Sequence, residues 1–157
     1  MREWVKNLVE ILEEEIRIFE SMLELLGRER KAIVEGDISG LVSITKEKET
    51  LAVREKLLEE ARISCLEKAN RKGATLSRII EEAQEDEKPA LEDVRRRLSQ
   101  VVDRLLWENK RNSFLITKAI ELNQDLMRLF SPIYSLSYKP NGSLDKAGLR
   151  GNFQTRG

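Results

Sequence analysis

From Leu91 to Ile133 the chain repeats apolar residues at alternating spacings of three and four. The series is Leu91, Val94, Leu98, Val101, Leu105, Leu115, Ala119, Leu122, Leu126, Leu129 and Ile133, and Glu108 and Asn112 fill the two remaining places. That period lays one apolar stripe along a long helix that lies against other helices. A second stripe runs through Val5, Val9, Leu12, Ile16, Phe19, Leu23, Leu26, Arg30 and Ile33. Leu8, Ile11 and Met22 widen it, as a helix touching two neighbours requires. A weaker stripe, Leu41, Ile44, Leu51, Leu58 and Cys65, has Lys48, Glu55 and Arg62 between its members. Lys48 is expected to lay its methylenes along this seam and keep its ammonium in water.

Punctuation residues set the expected bounds. The first helix runs from about 3 to 35, with Arg28, Arg30 and Lys31 near its carbonyl end and Gly36 suited to the left-handed position beyond it. Gly27, inside the pattern, marks either a close helix approach or nothing. Asp37 or Ser39 caps a second helix over 38–72, which stops at Gly73. A short helix follows over 76–83, with Ile79 and Ile80 apolar, and Glu85-Asp86-Glu87-Lys88 is a polar linker. Pro89 fits the first turn of the last helix, 89–131, and Pro132 should kink or stop it near Ser131. The expected fold is all-α with no sheet. It is an antiparallel three-helix coiled-coil bundle over 1–136, followed by an irregular, mobile tail over 137–157. That tail holds Gly142, Gly148, Gly151 and Gly157 and few large apolar residues, too little to offset about 1–2 kcal/mol of ordering entropy per residue.

The lengths carry a further expectation. Helices of 33 and 35 residues span roughly 50 Å, whereas 43 residues span roughly 65 Å. The C-terminal part of the last helix should therefore extend beyond its partners. Its apolar residues Leu122, Leu126, Met127, Leu129, Phe130 and Ile133 then need cover. A second copy, the tail, or a bound protein could supply it; so could the loop at 36–40 or the short helix.

Composition narrows the chemistry. In 157 residues, 36% are charged and 5% aromatic, which suits a helical bundle of one domain. Lys plus Arg and Asp plus Glu number 28 each, so no net field favours nucleic acid or an anionic membrane. The single Cys65 precludes an internal disulfide, fits a reducing compartment and reads as a buried small hydrophobe. The N-terminal residues lack the apolar core of a signal peptide, and no apolar run is long enough to span a membrane. A cytosolic location is expected. Histidine is absent, which excludes His-based triads and imidazole metal ligands. Gly36-Asp37-Ile38-Ser39-Gly40 lacks the Lys-Ser/Thr of a P-loop. No constellation argues for an enzyme, and no cofactor is expected.

Glu108 and Asn112 interrupt the last stripe one turn apart, with Asn109 beside them. They read as a register-fixing polar layer, with Asn112 facing inward toward a polar partner, either Glu108 or a residue across the seam. The segment Asn109-Lys-Arg-Asn112-Ser-Phe-Leu115-Ile116 also resembles the Asn-x-x-Asn-x-x-Leu-Leu segment of FlgN-type flagellar export chaperones. The match continues through Ile120-Glu-Leu-Asn123-Gln124 and Leu136-Ser-Tyr138-Lys-Pro-Asn-Gly142. The acidic first helix, Asp37 at the turn, and Leu41-x-x-Ile44-x-x-x-Lys48-x-x-Leu51 are similar to that family as well.

This resemblance implies a cytosolic chaperone that binds the terminal helices of hook–filament junction proteins. It would keep them unassembled and deliver them to the flagellar export gate, without making or breaking a bond. The client would sit on Leu122, Leu126, Met127, Leu129, Phe130 and Ile133, and Tyr138 would contact the gate. The competing reading is a structural homodimeric coiled coil with no secretion client.

Overall fold

The computed structural model describes residues 1–134, 137–138 and 144–145, with side-chain surroundings through Phe130. The elements are α1 (Glu3–Glu35), α2 (Ile38–Lys68), α3 (Leu76–Glu81) and α4 (Lys88–Tyr134), then β1 (Ser137–Tyr138) and β2 (Leu144–Asp145). Among the described residues the regular structure is helical apart from this two-residue antiparallel ladder, which pairs Ser137 with Asp145 and Tyr138 with Leu144. The all-α class holds, and the ladder is an addition to it that the lack of period-two runs did not predict. The expected mobility of the rest of the tail falls outside the described residues. Two compact units divide the chain, Met1–Ser113 and Phe114–Gly157, and α4 passes through both.

α1 ends as its sequence requires. Gly36 is left-handed at φ 66°, its N–H donates to the Ile33 carbonyl, and Asp37 N–H donates to the Ala32 carbonyl. This pair of bonds closes the last turn and satisfies two orphan acceptors. Asp37 then caps α2, its carboxylate accepting from Gly40 N–H at 2.9 Å. A Cβ on Gly40 would require the tip of the flexible Asp37 side chain to shift. No atom approaches Gly27 closely.

Three bounds differ from expectation. α2 stops at Lys68, because Asn70 takes the left-handed position at φ 56° and Arg71 N–H reaches back to the Leu66 carbonyl. Asparagine tolerates that conformation better than most side chains, so the helix ends one turn before Gly73. α3 is shorter than 76–83, with Thr75 capping it through Arg78 N–H. α4 continues through Pro132 to Tyr134, where a kink or a stop near Ser131 was expected, so the helix does not stop there. Proline removes one N–H and need not end a helix.

Within Met1–Ser113, cross-helix pairs fix the directions. Glu15 faces Arg62, Arg28 faces Glu47 and Glu29 faces Lys48, so α2 runs antiparallel along α1. Glu13 meets Arg97, and Leu26 and Glu29 meet Asn112, so α4 runs parallel to α1. α1 supplies one partner in each of these pairs. Its stripe is buried at Val5, Leu8, Leu12, Ile16, Leu25, Leu26 and Ala32, and half-buried at Val9, Phe19, Leu23 and Ile33. Leu66, Ile79, Ile80, Leu91 and Val94 close a core around the first half of α1, and Ile44 packs with Leu25 and Ala32 in a second cluster.

Two charge assignments are corrected. Arg28 and Arg30 do not serve the carbonyl end of α1; they bridge to Glu47 and Glu108. The Lys48 ammonium is not left to water, because it bonds Glu29 at 2.9 Å.

Candidate functional site

The α4 stripe changes character along its length. Leu91, Val94, Val101 and Asn112 are buried, and Leu98, Leu105, Glu108, Leu115 and Ala119 are half-buried. From Ile120 to Phe130 every residue is exposed. Leu122 is 60% exposed, Leu126 42%, Met127 73%, Leu129 69% and Phe130 44%. Leu122, Leu126 and Leu129 share a face by their spacing of four and three, and Met127 and Phe130 flank it. Ile133 continues the spacing within α4, but its side chain lies outside the described residues. Tyr138 lies in β1, and its side chain is likewise outside them.

An exposed heptad seam is chemically simple. It has no acid, base or nucleophile set against a cleft. It can bury apolar area against another amphipathic helix, which removes the same area from water. The polar flanks are self-paired within the helix, Lys118 with Glu121 at 2.9 Å and Arg128 with Asp125 at 3.5 Å.

Inside Met1–Ser113 lies the expected polar layer, with a different cast. Asn112 is 1% exposed, and its amide donates to the Leu26 carbonyl at 2.8 Å and to Glu29 Oε1 at 2.9 Å. Glu29 Oε2 takes the Lys48 ammonium, so one carboxylate links all three long helices. Glu108 turns instead to Arg30 at 2.5 Å. Asn109 is exposed and stands outside the layer, because it lies one residue away from the seam. Glu29 was not anticipated, though a signal existed. Leu8, Glu15, Met22 and Glu29 follow one another at seven-residue intervals, so both glutamates occupy the widened stripe.

Glu15 shows the cost of that position. It is 2% exposed, and burial pushes its carboxyl up while Arg62, 3.2 Å away, pulls it down. Cys65 is half-buried, its thiol donating to the Trp4 carbonyl at 3.4 Å, and burial pushes that thiol up. It lines an open groove of about 780 Å³ between α1 and α2, together with Trp4, Ile11, Leu58 and Ala61.

The expected polar linker contains the most tightly held carboxylate. Glu87 is fully buried. It accepts from Arg2 N–H at 2.8 Å, from the Arg2 guanidinium at 2.6, 3.0 and 3.2 Å, and from Gln84 N–H at 3.0 Å. The Arg2 guanidinium, with those two N–H groups, holds its pKa down to about 2. This clamp ties the start of α1 to the start of α4. The sequence offered no periodic signal for it.

Among the described residues no group of carboxylates and thiols could hold a metal ion, and no helix is long and apolar enough to cross a membrane. Compared with known families, the model described as FlgN protein matches residues 1–146. No curated protein and no solved structure matches the chain.

Proposed function

The chain belongs to the FlgN protein family, a family of flagellar export chaperones rather than enzymes, and from that membership we propose how it works. In this reading it acts in the cytoplasm and its clients are the hook–filament junction proteins. Their terminal amphipathic helices lie against Leu122, Leu126, Met127, Leu129, Phe130 and Ile133 of α4. The loaded chaperone then presents Tyr138 to the flagellar export gate. The three long helices are read as an antiparallel bundle. No nucleic acid, membrane insertion or cofactor enters this cycle.

The observation that carries the reading is the exposed seam. Five large apolar side chains between Leu122 and Phe130 are 42–73% exposed at helical spacing. Burying each remaining surface is worth about 1–2 kcal/mol, so a client helix covering the set gains several kcal/mol. That is enough for reversible capture and too little for a permanent complex once ordering costs are met.

The test uses the purified full chain and a purified hook–filament junction protein. Leu126→Glu should abolish their co-elution and leave the helical circular dichroism signal intact. Undiminished binding by this variant would refute the assignment, and loss of helicity would place Leu126 in the protein's own core.

A further inference from the structure

α2 is held to α1 differently from the way α4 is. In 31 residues it buries two, Ile44 and Leu66, which stand roughly 33 Å apart along the helix. Between them its inward line reads Lys48, Leu51, Glu55, Leu58 and Arg62, each half-buried, so one place in every heptad is charged. The ion pairs give the register. Glu15 meets Arg62 and Glu29 meets Lys48, which sets Met22 opposite Glu55. The middle layer therefore matches a half-buried carboxylate with a thioether side chain.

Such layers align α2 without binding it tightly. Taking an ion pair out of water costs about as much as the attraction returns. The layer of Glu15 and Arg62 is also poorly matched. Glu15 Oε1 and Arg62 Nε, 3.2 Å apart, are both buried, and neither makes a hydrogen bond. The fully buried apolar contacts of α2 sit at its two ends, where Ile44 packs with Leu25 and Ala32 and Leu66 joins the core around the first half of α1.

α1 and α4 are joined without help from α2. Leu91 and Val94 pack with Val5, Leu8, Leu12 and Ile16. The Arg2 bonds to Glu87, the Arg97 bond to Glu13, the Arg30 bond to Glu108 and the Asn112 bond to the Leu26 carbonyl follow one another along α1. With Lys48 withdrawn, Glu29 keeps the Asn112 amide on one oxygen and turns the other to water.

We propose that α2 is a strap that lifts from α1 as a unit while α1 and residues 88–113 of α4 stay joined, because a charged layer in every heptad limits its hold. Lifting uncovers Leu25, Glu29 and Ala32, consecutive members of one face of α1 that the closed strap covers. The motion lies within Met1–Ser113 and does not depend on where a client binds.

The experiment is native-state hydrogen exchange of the full chain, read by mass spectrometry at urea concentrations below unfolding. Amides of residues 45–65 should exchange through an opening of their own, about tenfold or more populated than the one that exposes residues 91–112. Its urea dependence should be shallower, since lifting one helix exposes less surface than unfolding all three. Glu55→Leu sets an apolar side chain against Met22 and should slow exchange at 45–65 by about tenfold. Glu87→Gln loosens the joint between α1 and α4 and touches no α2 contact, so it should speed exchange at 91–112 and leave 45–65 unchanged. One opening and one urea slope shared by 45–65 and 91–112 in the natural chain would overturn the proposal. So would a Glu55→Leu variant whose α2 exchanges as fast as before, or an α2 that speeds up in step with 91–112 in Glu87→Gln.

Discussion

Replacing Glu87 by Gln tests whether the carboxylate, rather than the shape, holds the start of α1 to the start of α4. The substitution preserves volume and removes the charge. In the folded protein Glu87 is fully buried and is held by Arg2 and Gln84, with three of its hydrogen bonds, at 2.6, 3.0 and 3.2 Å, coming from the Arg2 guanidinium. With Gln, one acceptor atom becomes a donor facing a donor. Hydrogen bonds to a charged group are worth about 1.5–3 kcal/mol, and breaking a buried pair costs about 3–5 kcal/mol. The Arg2 side chain keeps 31% exposure, so water relieves part of its loss. The expected penalty is about 2–3 kcal/mol at neutral pH.

The pH dependence has a definite sign. The folded-state pKa is depressed to about 2 from an ordinary 4.5, chiefly by the Arg2 hydrogen bonds. Stability from this group is therefore complete above pH 4.5 and is lost as pH falls toward 2. By about pH 3 more than roughly half of it should be gone. Urea unfolding of the natural chain and Glu87→Gln, followed by circular dichroism at about pH 7 and about pH 3, measures both quantities. At neutral pH the midpoints should differ by about 1–2 M with equal slopes. The gap should shrink in acid. A gap below about 0.5 kcal/mol at neutral pH, or one unchanged in acid, would refute the clamp.

Two further substitutions probe the interior and the turn. Asn112→Leu should cost about 1–3 kcal/mol by urea unfolding, since the Leu26 carbonyl and Glu29 both lose a buried donor, whereas Asn109→Ala should stay within about 0.5 kcal/mol. Equal effects at the two positions would mean the polar layer is misassigned. Gly36→Ala should cost about 1–2 kcal/mol by the same measurement, because φ 66° strains any residue with a Cβ. A neutral result there would show that the turn between α1 and α2 relaxes without cost.

Much of the helical layout was legible because the periodic signal is long. The first seam, the left-handed Gly36, the Asp37 cap and the inward Asn112 each follow from local rules acting over one or two turns. The misses have physical causes. Asn70 ended α2 early because two residues compete for the left-handed position within one turn, and composition does not rank them. Glu87 sat in a run of charged residues, where polarity reads as solvation. Its burial depends on Arg2, 85 residues away, and only the tertiary arrangement brings them together. Lys48 looked like a snorkelling residue because Glu29 was not placed on the inward stripe, although the seven-residue series Glu15, Met22, Glu29 marks it there.

The candidate site poses a different difficulty, since the same pattern encodes two roles. The α4 seam is built first from Val94, Leu98 and Val101, and later from Leu122, Leu126 and Leu129, all at one period. The first group is buried or half-buried and the second exposed. Hydrophobic spacing reports that a helix face wants a neighbour, and it does not say whether the neighbour is the chain itself. Apolar residues exposed at heptad spacing over more than two turns would promote aggregation unless something answers them. In the function proposed above, the answer is a client that brings its own amphipathic helix. Until such a helix arrives, the ion pairs Lys118–Glu121 and Asp125–Arg128 flank the seam with charge, which opposes its self-aggregation.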